Sequence, residues 1–254
     1  MRSTPFCVNT IPASTAAERA GDFPFYVNWV AADGLVPEWL YPHVSDEMAE
    51  GVAWKLAPVR LFPTFHEISL DNDVILWAIP PSMEQWLTTS QSKSCLLAAD
   101  VGPGLGQFSA ICSYRALNAG IRGLPPGFDM ESKLRQKSSE TGTILQSELD
   151  EQGLQVAVLL DSDLNVVSTE DVSLCSPFPN HMQHLGRCGA HFVGLNPKWL
   201  PWVLNGRGAH EAVLENWKGY ATELSRLVPE AGLGRPPVVR RSREFDSCVR
   251  AELS

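Results

Sequence analysis

The chain has 254 residues, a formal net charge of −9 and 44% hydrophobic residues. That is enough apolar material for a sizeable core, which argues against global disorder, and too much negative charge for a broad nucleic-acid footprint. No apolar run approaches the ~20 residues that span a bilayer, so no membrane segment is expected.

The first 20 residues read as a flexible lead without the unbroken apolar stretch of a secretory signal. Their Ser, Thr, Ala and Arg content is also the composition of an organelle transit peptide, but a cytoplasmic protein is the expectation. Six cysteines (Cys7, Cys95, Cys112, Cys175, Cys188, Cys248) lie scattered with no CxxC pair, which predicts free thiols. Residues 21–90 are aromatic and proline-rich and hold five of the eight tryptophans: Trp29, Trp39, Trp54, Trp77 and Trp86. They are expected to pack onto the main domain, as core or as a wall over a ligand. Within them, Ser45 followed by Asp46 and Glu47 predicts a helix to about Leu56, Asp73–Ile79 a strand, and Ser82–Leu87 a short helix. The stretch "FHEISLDND" holds His66, Glu67, Asp71 and Asp73, either a solvated turn or an acidic cation site.

From residue 91 to 254 the rhythm is that of a single α/β domain. "SCLLAADV" is a continuous apolar strand of the kind buried on both faces. "QFSAICSYRALNAG" predicts a helix closed by Gly120, and "GFDMESKLRQKSSETG" another that ends at Gly142. "TILQSEL", "LQVAVLLD" and "GAHFVGLNP" read as strands, and "HEAVLENWKGYATELSRLV" as a long amphipathic helix. Alternation of this sort predicts an α/β fold with a Rossmann-like, mostly parallel sheet and an aromatic N-terminal extension. The alternative is an α+β fold with antiparallel hairpins at "LLAADVGPGLGQFSAICSYRAL" and "VAVLLDSDLNVVST". The two differ at Gln107–Leu117: a helix there supports a cofactor loop, an antiparallel strand removes it.

In "DVGPGLG" an acid, Asp100, precedes Gly102, Gly104 and Gly106. Glycines so spaced allow a tight turn and a close ligand approach. The loop resembles motif I of class I S-adenosylmethionine-dependent methyltransferases, and the later segments resemble that family in order and type. The resemblance implies methyl transfer from S-adenosylmethionine to a small-molecule or protein acceptor. It implies that Gly102, Gly104 and Gly106 approach the methionine part, that Asp100 holds its amino group, that Asp129 takes the ribose and that Glu148 or Asp150 flanks the adenine. It names no catalytic residue. The chain departs from the family at "IRGLPPG", where two prolines stand in the second strand, and it carries no Asn/Asp-Pro-Pro-aromatic tetrapeptide.

The competing function is a binding or assembly protein without catalysis or cofactor. A metalloenzyme is the third class, and it requires His181, His184 and His191 to converge, because their spacing matches no zinc pattern. Arg235, Arg240, Arg241 and Arg243 concentrate positive charge near the C-terminus, as a solvated edge or an anion contact.

Overall fold

A computed structural model describes residues 4–8, 12–20, 27–31, 37–45, 54–56, 60–89, 93–178, 180–193, 203–204 and 206–228. The chain divides into two compact units, one of residues 1–33 with 229–254 and one of residues 34–228. In the first, β1 (Thr4–Val8) pairs in parallel with β2 (Val27–Ala31), and α1 (Ala13–Ala20) lies between them in sequence. Within the expected flexible lead, the described residues thus form a strand and a helix. "TPFCV" and "VNWVA" are rich in β-branched and aromatic residues, and "ASTAAERA" in helix formers. The arginine cluster lies outside the described residues.

The larger unit contains β3 (Glu67–Leu70), β4 (Val74–Leu76), α2 (Pro81–Thr88), β5 (Cys95–Ala99) and β6 (Leu117–Leu124). It continues with α3 (Met130–Thr141), α4 (Glu148–Leu159), β7 (Leu164–Val167), β8 (Val172–Leu174) and β9 (Gly189–His191). The pair β10 (Val203–Leu204) and β11 (Arg207–Gly208) leads into α5 (Ala209–Leu227). One sheet has the order β3-β6-β5-β7, another β4-β9-β8. Strand β5 runs antiparallel to β6 and parallel to β7, β3 is antiparallel to β6, and β9 is antiparallel to β4 but parallel to β8. The fold is mixed α/β with mixed sheets, and among the described residues no sheet closes into a barrel.

Strand β5 shows why "CLLAA" is apolar throughout. Cys95 and Leu97 join a core with α3 and α4, while Leu96 and Ala98 join a second core with Met83, Trp86, Ile121 and Val172. Gly123 of β6 makes room for the second core: a Cβ there would lie 2.7 Å from Leu96 Cβ and 2.9 Å from Trp86 Cη2. Trp86 in turn donates its indole N–H to Ser94 O at 2.7 Å.

Three expectations are corrected. The helix over Gln107–Leu117 is instead a 3-10 turn at Gly106–Phe108, a series of tight turns, and then β6. Ser113 and Tyr114 adopt positive φ (52° and 54°), which ends any helical run before Leu117 pairs with Ala99. The apolar run "LQVAVLLD" belongs to α4 and its end, not to a strand or hairpin. Ser147 Oγ accepts the Asp150 N–H, Glu148, Asp150 and Glu151 fill the first turn, and Leu154 through Leu159 are all buried. "TILQSEL" supplies only a single bridge, Leu145 with Val44, before α4 begins. Helices α2, α3 and α5 and strands β4, β5 and β9 lie where the sequence places them. The expected helix after Ser45 falls largely outside the described residues, with a 3-10 turn at Trp54–Leu56.

Candidate functional site

The glycine loop is held mostly by its own neighbours. Asp100, just past β5, accepts the N–H groups of Val101 (2.6 Å) and Gly102 (3.3 Å) on one oxygen and Asn118 Nδ2 (3.1 Å) on the other. Gly106 has φ +50°, and a Cβ there would collide with the Asp150 carboxylate. Asp150 is buried and accepts Gln107 N (2.8 Å), Gln107 Nε2 (2.9 Å) and Gln146 N (2.9 Å), tying the loop to the start of α4. Gln152 Nε2 reaches Gly104 O at 2.8 Å. Glu148 is exposed. Asp129 is elsewhere: its carboxylate caps α3 through Ser132 N at 3.0 Å, and that bond holds its pKa down. Among the described residues, nothing lies within 4 Å of a Cβ at Gly102 and only Leu149 Cδ2, at 3.7 Å, near one at Gly104, so both remain open. Asp100, the glycines, Glu148 and Asp150 thus share the junction of the loop with α4, whereas Asp129 works on another helix.

A second polar cluster arises at the turn between β3 and β4. The turn carries Asp71 and Asp73, and the register that sets Val74 opposite His191 brings the β9 imidazole to it. His191 Nε2 lies 3.2 Å from Asp73 Oδ1 and 4.0 Å from Asp71 Oδ2. Lys55 Nζ lies 2.6 Å from the same Asp71 oxygen. Asp73 Oδ1 is sealed from solvent and accepts no hydrogen bond from the described residues. The ring of His191 needs Gly120, because a Cβ there would collide with it. Gly120 sits in a bulge of β6: Leu97 faces Arg122 while its neighbour Ala98 faces Asn118, which displaces residues 119–121. Bulges of this kind re-aim groups beside functional sites. The bulge carbonyl, Gly120 O, accepts the Asp71 N–H at 2.8 Å.

Behind these groups the charge continues inward. Buried Arg122 donates to Ser69 Oγ at 3.2 Å and to Gln155 Oε1, and Gln155 Nε2 donates to Glu151 Oε1. Burial pushes the Glu151 carboxyl up to about 7; the Asp71 carboxylate adds to this, while Lys55, Arg122 and the Gln155 bond oppose it. Burial alone would lower Lys55, but the carboxylates of Glu151, Asp71 and Asp73 outweigh it and raise its pKa. His181 feels both Asp100 and His191, although burial is the main cause of its lowered pKa, and its Nδ1 meets Ser176 Oγ at 2.5 Å. His184 is exposed, with Nδ1 3.3 Å from Leu185 O, so the three histidines do not converge as one ligand set.

Sequence spacing isolates Asp71, Asp73 and His191 but in separate contexts, and it misses Lys55, Arg122, Glu151 and Gln155. The available signal is a charge at a buried periodic position: Arg122 inside an apolar strand and Glu151 on a helix whose later turns are buried all round. Cys95, Cys112, Cys175 and Cys188 are free and buried. Burial raises the Cys95 and Cys112 thiols to about 11, so neither is an activated nucleophile.

Among the described residues no helix is long and apolar enough to cross a membrane. Comparisons with protein-family models, with curated proteins and with solved structures return no match.

Proposed function

We propose that residues 34–228 act as a ligand-binding module whose ligand meets Lys55, Asp71, Asp73 and His191. The observation that carries this reading is a string of ionisable groups that starts at a half-exposed end, Lys55 and Asp71, and ends at the fully buried Arg122 and Glu151. Stability does not call for such a string, since replacing buried ion pairs by apolar groups is often neutral or stabilising. Strongly perturbed carboxyls beside specific charge partners mark functional sites. Two half-buried carboxylates at the accessible end suit a cation or a small amine. The test is thermal stability of the full chain with Mg2+, Ca2+, Mn2+, Zn2+, putrescine and arginine. At least one should raise the melting temperature of the wild type and leave Asp71→Asn/Asp73→Asn unmoved, since a ligand at a hundred times its Kd adds about 2.7 kcal/mol. A flat response across the panel overturns the module.

Methyl transfer from S-adenosylmethionine to a small-molecule or protein acceptor is the second reading. It is favoured by the open space at Gly102 and Gly104, beyond Asp100 at the carboxyl end of a strand that pairs in parallel with β7. The antiparallel β6 that follows the loop weighs against it. Calorimetry with S-adenosylmethionine decides: binding heat that Gly104→Val abolishes supports it, and a flat titration of folded wild type removes it.

A further inference from the structure

We propose that Asp71, Asp73 and His191 form a binding site for a first-row divalent metal ion. The proposal rests on the ligand-binding reading above and names the ligand class. The three donor atoms lie within 4.8 Å of one another, and the closest pair is the 3.2 Å between His191 Nε2 and Asp73 Oδ1. An ion with bonds of about 2.0–2.2 Å holds tetrahedral donors about 3.3 Å apart, so small side-chain movements suffice.

Two further observations point to a ligand at this place. Asp73 Oδ1 is a carboxylate oxygen shut away from solvent with no hydrogen bond from the described residues, its close neighbour being His191 Nε2, and a cation held by both would satisfy it. The imidazole is 6% exposed, aims Nε2 between the two carboxylates, and lies on a glycine that has no room for a side chain. One imidazole with two carboxylates is a mixed nitrogen–oxygen set, which suits Mn2+ and Zn2+ better than Ca2+ or Cu(I). Lys55 Nζ holds the Asp71 oxygen that would face the ion, so ammonium and metal compete for it.

That competition gives the test its second sign. Full-length protein, stripped with chelator and titrated with Zn2+ or Mn2+, should take up one ion per chain. Asp73→Asn and His191→Gln should each weaken uptake at least tenfold, and Gly120→Ala about 10–100-fold by moving a ligand it does not replace. Lys55→Gln should tighten it. On the wild type, Mn2+ should selectively broaden the NMR resonances of Asp71, Asp73, Gly120 and His191, which keeps the test independent of whether a variant folds. Broadening centred elsewhere, or uptake unchanged in Asp73→Asn and His191→Gln, overturns the site. No uptake of either ion, with putrescine or arginine still stabilising the wild type, overturns the metal and leaves the module standing. A flat response to every probe overturns both.

Discussion

The glycine loop and the charged cluster lie in the same 34–228 unit, yet they use their polar atoms in opposite ways. In the loop, Asp100 and Asp150 accept six hydrogen bonds between them from Val101, Gly102, Asn118, Gln107 (twice) and Gln146. Both carboxylates are committed to holding the chain in place. In the cluster, Asp73 keeps a buried oxygen without a hydrogen bond from the described residues, and Glu151 is held near neutrality by burial. A motif whose acids are saturated by its own backbone is organised for shape. A cluster with an unbonded acceptor and a displaced pKa has the features that recur at functional sites. On the proposed reading, the ligand therefore sits away from the segment that looks most like a motif.

The comparison breaks most sharply at Arg122. Its guanidinium is buried and links Ser69 to Gln155, and through Gln155 to Glu151. Arg122→Leu removes the cation and strands those acceptors, so it should cost about 3–5 kcal/mol in denaturant unfolding. A cost below about 1 kcal/mol would show that the cluster behaves like a solvated surface pair, and the distinction from the loop would fall.

Glu151 sharpens the same point through pH. Its carboxyl keeps a proton to about pH 7 in the folded chain, against an ordinary value of 4.5. Between these values the native state binds more protons than the unfolded state, so Glu151 makes stability fall as pH rises from 4.5 to 7, with no further loss above. Glu151→Gln mimics the protonated form and can still accept the Gln155 N–H. Relative to wild type it should gain stability across that window, reaching roughly 3 kcal/mol above pH 7. Parallel pH profiles for the two proteins would mean that the carboxyl titrates normally.

The loop has its own test at Gly153, where α4 packs on the turn. A Cβ there would collide with Leu105 O and lie 2.9 Å from Phe108 Cβ. An exposed helical Gly→Ala gains about 1 kcal/mol from propensity. Here the close backbone contact should reverse the sign, and Gly153→Ala should destabilise by about 1–3 kcal/mol in chemical denaturation. A stabilised variant would mean that loop and helix do not meet as tightly as the Asp150 bonds imply.

These sites also show what a linear reading reaches. Helix α3 is legible because Asp129 caps its start and Gly142, at φ +59°, closes it. Helix α5 is legible because Val213, Tyr220 and Leu224 return on one face and are buried there. Helix α4 is misread because its second half, Leu154–Leu159, is buried all round, so period carries no information there, and its Val156 and Val158 favour a strand by propensity. Strand β6 is misread because Phe108, Ile111 and Cys112 mimic a helical face, whereas the turn is decided by Ser113 and Tyr114 and by pairing with β5. The aspartates of the cluster are visible as an acidic turn and His191 as one histidine of three. Their meeting depends on the β4–β9 register and on a bulge in β6, which are long-range facts that no local spacing encodes.

The smallest expected effect belongs to Gly102, and it separates the loop's shape from any ligand. Among the described residues nothing lies within 4 Å of a Cβ at this position, and its φ is not in the left-handed region. Backbone geometry therefore tolerates alanine, and the lower entropy of the unfolded alanine chain offsets part of any loss. Gly102→Ala should change stability by less than about 0.5 kcal/mol. Gly106→Ala, four residues on, meets both a positive φ and the Asp150 carboxylate, and should cost about 1–3 kcal/mol. If the pair behaves this way, Gly106 serves the fold while Gly102 is free of it, and the space over Gly102 is available to a ligand. The same two variants then discriminate in calorimetry with S-adenosylmethionine. Loss of binding heat in the stable Gly102→Ala protein supports a cofactor in that space, and unchanged or absent heat assigns the glycine to the turn alone.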